Sequence, residues 1–206
     1  MNSPWRLSGS AHAPLRLLLA HGAGAGMDHP FLVSLCEHLA GDLLQVVRFN
    51  FPYMARSLEE GRRRPPDRAP VLLQCWREMI ERFADRPLLL AGKSMGGRMA
   101  AELADESKAA GLVLLGYPFH PSGKPEHWRG EVLKRMTTPT LLLQGERDSF
   151  GNRCELTDFA FSAAVQVVWI PDGDHSFAPR RSSGHSEAAN LSLAAARIID
   201  FAKGVA

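Results

Sequence analysis

The amino-acid sequence predicts an α/β protein with a mostly parallel central sheet and helices on both faces. Three observations carry that expectation. Short apolar runs recur at 15–20, 43–49, 87–91, 111–115, 140–144 and 165–170, each of strand length and bounded by turn residues. Most are apolar at consecutive positions, the pattern of strands covered on both sides. Between them lie segments with helical spacing, and strands that alternate with helices build parallel sheets.

The first run contains Arg16 and ends in His21-Gly22-Ala23-Gly24-Ala25-Gly26. Asp28 can then cap a helix with Pro30 in its first turn, apolar positions at Phe31, Leu35 and Leu39, and Gly41 just past its end. After 43–49 comes an irregular stretch, 52–69. Helical spacing returns over 71–83 at Leu72, Trp76, Met79 and Phe83. The run 87–91 leads into Gly92-Lys93-Ser94-Met95-Gly96-Gly97-Arg98, followed by helical positions at Met95, Met99 and Leu103. The last three runs are joined by irregular stretches that include 117–125, and 179–186 precedes the final helix. That helix covers 187–203, carries Leu191, Ala195, Ile198 and Ala202, and is stopped by Gly204. There is no internal repeat and no insertion long enough for a separate lid domain.

A chain of 206 residues suits one domain, taken as 1–206 with its core at about 14–203. A net charge of +2 is too small to argue for nucleic acid, which requires clustered Lys and Arg against phosphates. The N-terminus shows no signal peptide, and no apolar stretch approaches the length that crosses a bilayer, so no membrane partner is expected. Cys36, Cys75 and Cys154 are odd in number and widely spaced, which fits free, buried thiols in a reducing, cytoplasmic setting.

Ligands bind such sheets outside the carboxyl ends of the strands, so chemistry is sought just after each run. Gly92-x-Ser94-x-Gly96 fits a strand-turn-helix elbow that pushes a serine hydroxyl out of the sheet. The glycines after the first run can present N–H groups to an oxyanion, with Ala23 and Met95 as the two backbone donors. A nucleotide-binding loop ranks well below this reading, because the lysine of a P-loop is missing and GxGxxG is not matched. Asp148, in Gly145-Glu-Arg-Asp148, is placed to orient an imidazole, with Glu146 a weaker candidate nearer the strand end. His175, in Asp174-His175-Ser-Phe177, can take and return the Ser94 proton. His185 lies in a Ser/Gly-rich loop without a rigid base; His29, His38 and His127 read as surface or structural, and His12 and His120 have no assigned role. Ser94, Asp148 and His175 thus fall in the order nucleophile, acid, base, each at its own strand end. Phe51, Tyr53, Tyr117 and Phe119 directly follow strands and are candidates to wall an acyl pocket. Arg56, Arg62, Arg63, Arg64 and Arg68 read as a solvated loop balanced by Glu59, Glu60 and Asp67, the alternative being attraction of an anionic substrate, which Lys93 and Arg98 beside the serine would share.

With anchors at HGAGAG, GKSMGG, GERD and GDHSF, the chain resembles α/β-hydrolases, and more narrowly the small, lidless dienelactone hydrolase-like family. The resemblance covers about residues 14–203. It implies a three-layer α/β-hydrolase fold and a serine hydrolase acting on an ester, thioester or related acyl bond. Dienelactone hydrolases proper use a cysteine where this chain has Ser94. Similar domains also occur in chromatin-associated and testis-expressed proteins, which sets a second expectation: a non-catalytic binding or scaffolding domain on a hydrolase frame. The catalytic reading calls for a small-molecule acyl substrate, no metal, no organic cofactor, and a monomer or homodimer.

Overall fold

The computed structural model describes residues 4–205. Its seven strands are β1 (Trp5–Ser8), β2 (Leu15–Ala20), β3 (Leu44–Phe49), β4 (Leu88–Lys93), β5 (Gly111–Leu115), β6 (Thr140–Gly145) and β7 (Val165–Ile170). They form one sheet in the order β1-β3-β2-β4-β5-β6-β7, in which β1 alone runs antiparallel to its neighbour. β2 through β6 are buried along most of their length. Their consecutive apolar residues divide between two cores, one on each face of the sheet, as the unbroken runs anticipate.

The helices are α1 (Pro30–Leu39), α2 (Pro52–Glu60), α3 (Ala69–Arg82), α4 (Met95–Ser107), α5 (Val132–Arg135) and α6 (Glu187–Val205). α1 and α6 pack together over one face, and α3 and α4 over the other. Arg16, inside β2, is buried without breaking the strand, because its guanidinium reaches the side chains of Gln45 and Asp85 and the carbonyl of Phe83. No helix among the described residues is long and apolar enough to cross a membrane.

Three local expectations are corrected. The α1 cap is His29, whose Nδ1 accepts from the N–H of Phe31 at 3.3 Å, while Asp28 turns away to pair with Arg6 and Arg48. The stretch 52–69 is not all irregular: Pro52 opens α2, which ends at Gly61 in the left-handed conformation (φ 64°) that glycine adopts freely. Gly204 lies inside the last turn of α6 and does not stop it.

β3 and β4 lie on opposite sides of β2, so the strand order reverses there. In parallel sheets a crevice opens outside the carboxyl ends at such a switch point. The glycine loop after β2 and the serine after β4 flank this crevice.

Candidate active site

Ser94 sits between the last residue of β4 and the first of α4, with φ 51° and ψ −117°, a conformation a non-glycine residue seldom holds. The surrounding packing imposes it. A Cβ on Gly92 would lie 2.3 Å from the nitrogen of Gly97, and one on Gly96 would lie 2.5 Å from the carbonyl oxygen of His21. Only glycine lets strand, helix and loop approach so closely. The Ser94 N–H donates to Leu115 O at 3.0 Å, and buried Trp76 donates its indole N–H to Gly96 O at 3.3 Å.

The glycine loop is held from below. His21 is fully buried; its Nδ1–H donates to Gly22 O at 2.7 Å, and its Nε2 accepts from the N–H of Phe51 at 3.0 Å. Those partners fix one neutral tautomer, and burial pushes the ring's pKa down to about 4. The Tyr53 hydroxyl lies 3.2 Å from Gly22 O and 3.0 Å from Ala23 O, donating to the same loop. The N–H groups of Ala23 and Met95 have no acceptor among the described residues.

Asp148 and His175 come from the turns after β6 and β7. His175 Nε2 is 2.9 Å from Ser94 Oγ, and its Nδ1 is 2.8 Å and 3.0 Å from the two carboxylate oxygens of Asp148. The fully buried Asp148 also accepts from Gln144 Nε2 at 3.0 Å and from the N–H of Phe150 at 2.8 Å. With the carboxylate as acceptor, Nδ1 carries the hydrogen and Nε2 is left to accept from the serine hydroxyl. The Phe150 ring covers the imidazole at a centroid distance of 4.3 Å. Glu146 is engaged elsewhere, accepting from Arg153 at 2.7 Å and from the N–H of Asp172 at 2.9 Å. His185 lies exposed, outside this arrangement.

Above Ser94 opens a cavity of about 420 Å³, lined by the loop from His21 to Gly26 and by His29, Phe31, Leu32, Lys93, Ser94, Phe150, His175 and Ser176. The pocket expectation is corrected here: Phe51, Tyr53, Tyr117 and Phe119 are at most 1% exposed and none lines the cavity. The chain turns inward after β3 and β5: Phe51 and Tyr53 pack against His21 beneath the glycine loop, and Tyr117 and Phe119 join an aromatic cluster with Trp128, Phe159 and Phe161. The walls are Phe31 and Leu32 at the start of α1, and Phe150, two residues past Asp148. Sequence reasoning passed over these residues, although the position of Phe150 beside GERD was a usable signal.

The basic loop is largely neutralised, with Arg56 paired to Asp67 and both Arg62 and Arg64 to Glu60. The three cysteines are free; Cys36 is buried, Cys75 half-buried and Cys154 exposed, so the last departs from the expected burial. Cys75 lines a larger hollow of about 610 Å³ beside Trp5 and Met79, but burial pushes its thiol up to about 12, which keeps it protonated and unreactive there.

A lidless α/β serine hydrolase from Xanthomonas campestris superposes with a TM-score of 0.69 at 17% identity, over 94% of this chain and 88% of that one. A serine hydrolase homologue from Coxiella burnetii gives 0.70 at 19% identity, over 98% and 91%. A thermophilic esterase from Thermogutta terrifontis gives 0.71 at 16%, over 98% and 93%. At such identities the likeness is one of fold. The sequence itself matches a family model described as an alpha/beta hydrolase domain over residues 13–203. With nearly the whole chain inside that match, and the sheet order, elbow and strand-end turns in agreement with it, this protein belongs to the α/β-hydrolase family.

Proposed function

We propose that the protein is a serine hydrolase that cleaves an ester, thioester or related acyl bond through a covalent acyl-enzyme. The observation that carries this reading is the unbroken series of hydrogen bonds from Ser94 Oγ through the His175 ring to Asp148 at the cavity floor. As the Ser94 oxygen attacks the carbonyl carbon, its proton passes to His175 Nε2, and the carboxylate of Asp148 stabilises the imidazolium that forms. The unpartnered N–H groups of Ala23 and Met95 receive the oxyanion, Met95 at the positive end of α4. His175 then returns the proton to the leaving group. Water, deprotonated by the same ring, releases the acid and restores the serine.

The cavity has the size of a small-ligand site, and its walls of Phe31, Leu32, Phe150, Ala23 and Ala25 favour a short or medium acyl group. The test is labelling with a fluorophosphonate probe, together with hydrolysis of a short p-nitrophenyl ester. The wild-type protein is expected to label and turn over. Ser94→Ala is expected to lose the label and about 10³-fold or more of the rate. Equal labelling of both proteins defeats Ser94 as nucleophile; reaction by neither favours the binding or scaffolding domain.

A further inference from the structure

Lys93 immediately precedes Ser94, yet the chemistry above gives it no role. Among the described residues four buried side-chain atoms lack a hydrogen-bond partner, and of these Lys93 Nζ alone belongs to a residue lining the Ser94 cavity. Its direction follows from β4. Leu89 and Ala91 belong to the core beneath α1 and α6, and two-residue alternation puts Lys93 on that same side. There its chain runs under the turn that carries His175. A Cβ on Gly116 would lie 3.0 Å from Lys93 Nζ, 2.9 Å from His175 O and 3.3 Å from His175 Nδ1. Ammonium and imidazole therefore face one point, with Lys93 Nζ and His175 Nδ1 at most about 6.3 Å apart.

The charged groups around this point are few. Asp148 approaches from the turn after β6, with its oxygens engaged by His175, Gln144 and Phe150. Asp174 comes from the turn after β7, its Oδ1 taken by the N–H groups of Ser176 and Ala178. From the β2 side His21 is neutral, and His29 at the head of α1 lines the same cavity. Beyond Asp148, His120 is paired with Glu155. None of them bonds the ammonium, so its charge is not cancelled by a direct contact.

We propose that Lys93 is a positioning residue that acts through His175: its unpartnered positive charge beneath the imidazole opposes protonation of the ring, keeping it available to Ser94 in mildly acidic solution. A second positive charge at this separation in a poorly solvated site is unfavourable, and the cost falls on the protonated ring. Burial lowers Lys93 itself to about 8 against the pull of Asp148 and Asp174. The charge is therefore present across the acidic and neutral range and fades as pH rises through about 8.

The proposal builds on the reading of His175 as the base, and its test has one arm that needs no turnover. In the first arm, kcat/KM for a p-nitrophenyl ester is followed against pH in wild type, Lys93→Met and Lys93→Arg. The acid limb of Lys93→Met is expected to move up by about one pH unit, and that of Lys93→Arg to stay near wild type. In the second arm, the His175 ring resonance is titrated by NMR in Ser94→Ala, with and without Lys93→Met. Loss of the lysine charge is expected to move the titration to higher pH. Lys93→Gln takes the place of the Met variant in both arms if that protein does not fold. An NMR titration unmoved by loss of the charge overturns the proposal, as does an unmoved acid limb. If no protein turns over ester, the hydrolase reading fails separately and the NMR arm alone decides for or against the coupling.

Discussion

The elbow around Ser94 is held by backbone packed on backbone, whereas the turns carrying Asp148 and His175 are held mainly by charged side chains bound to main-chain groups. On the first side Gly92 and Gly96 leave no room for a Cβ, and the supporting polar groups, His21, Tyr53 and Trp76, are uncharged. On the second, Asp172 and Phe177 adopt left-handed backbone angles (φ 47° and 68°) around His175. Glu146 and Arg147 tie the 172–178 segment down through the N–H and O of Asp172 and the O of Ala178, and Asp172 in turn accepts from Arg180. A backbone contact helps at Gly145, where a Cβ would lie 2.3 Å from Asp174 O. Each region is therefore vulnerable in its own way. The elbow fails when a methyl group is added; the turns, which share that tightness at Gly145, fail also when an ion is lost.

The largest effect expected from breaking the second side is that of Asp148→Asn. The carboxylate accepts from His175, Gln144 and Phe150 together. An amide has one accepting oxygen, so its NH2 must face a donor, and the charge that the proposed mechanism sets against an imidazolium is gone. Turnover of an ester is expected to fall about 10⁴-fold, while circular dichroism stays that of the wild type. A fall of less than tenfold would mean that the carboxylate does not serve the ring.

Gly92→Ala breaks the first side and comes next in size. Its new methyl meets the nitrogen of Gly97 and the carbonyl carbon of Gly96 at 2.3 Å and 2.4 Å, backbone atoms that cannot swing aside as a side chain would. The expected loss is about 3 kcal/mol of stability, seen as a fall in Tm of roughly 10 °C. An unchanged melting curve would show that α4 can lift from β4 without cost.

The two sides were not equally legible in the sequence. Ser94, Asp148 and His175 stood out because each follows an apolar run with turn residues about it, and the strands themselves were marked by apolar residues at successive positions. The cavity walls did not stand out. Phe51, Tyr53, Tyr117 and Phe119 sit at strand ends, but whether the chain next rises over the site or dives into the core depends on contacts with α3, α4 and the glycine loop, which local composition does not encode. β1 was missed because four half-exposed residues become a strand only through antiparallel pairing with β3. α2 was missed because Pro52 and a run of arginines read as irregular, although Pro suits the first turn of a helix.

The remaining effect separates the two sides by pH. His21 is buried neutral, so its folded pKa of about 4 lies below the ordinary 6.5. Between those values the unfolded chain binds more protons than the folded one, and stability rises with pH through the window and is lost as pH falls through it. That loss can reach about 3 kcal/mol by the lower end. The carboxylates of the other side act lower down. Asp172, held below the usual range first by its bond to Arg180, and Glu146, held down first by the N–H of Asp172, give up their stabilisation only as pH drops below about 4. His120 works in the opposite sense. Burial pushes it down, but Pro121 O and Glu155 hold it above 6.5, so its contribution is present in acid and disappears as pH rises through its folded value. Urea unfolding at pH 7 and pH 4.5 is therefore expected to show a steeper loss in wild type than in His21→Asn. Parallel losses in the two proteins would move acid sensitivity to the ion-bound turns and reverse the assignment, whereas a flatter His21→Asn line locates the first acid-labile support under the glycine loop, on the elbow side of the site.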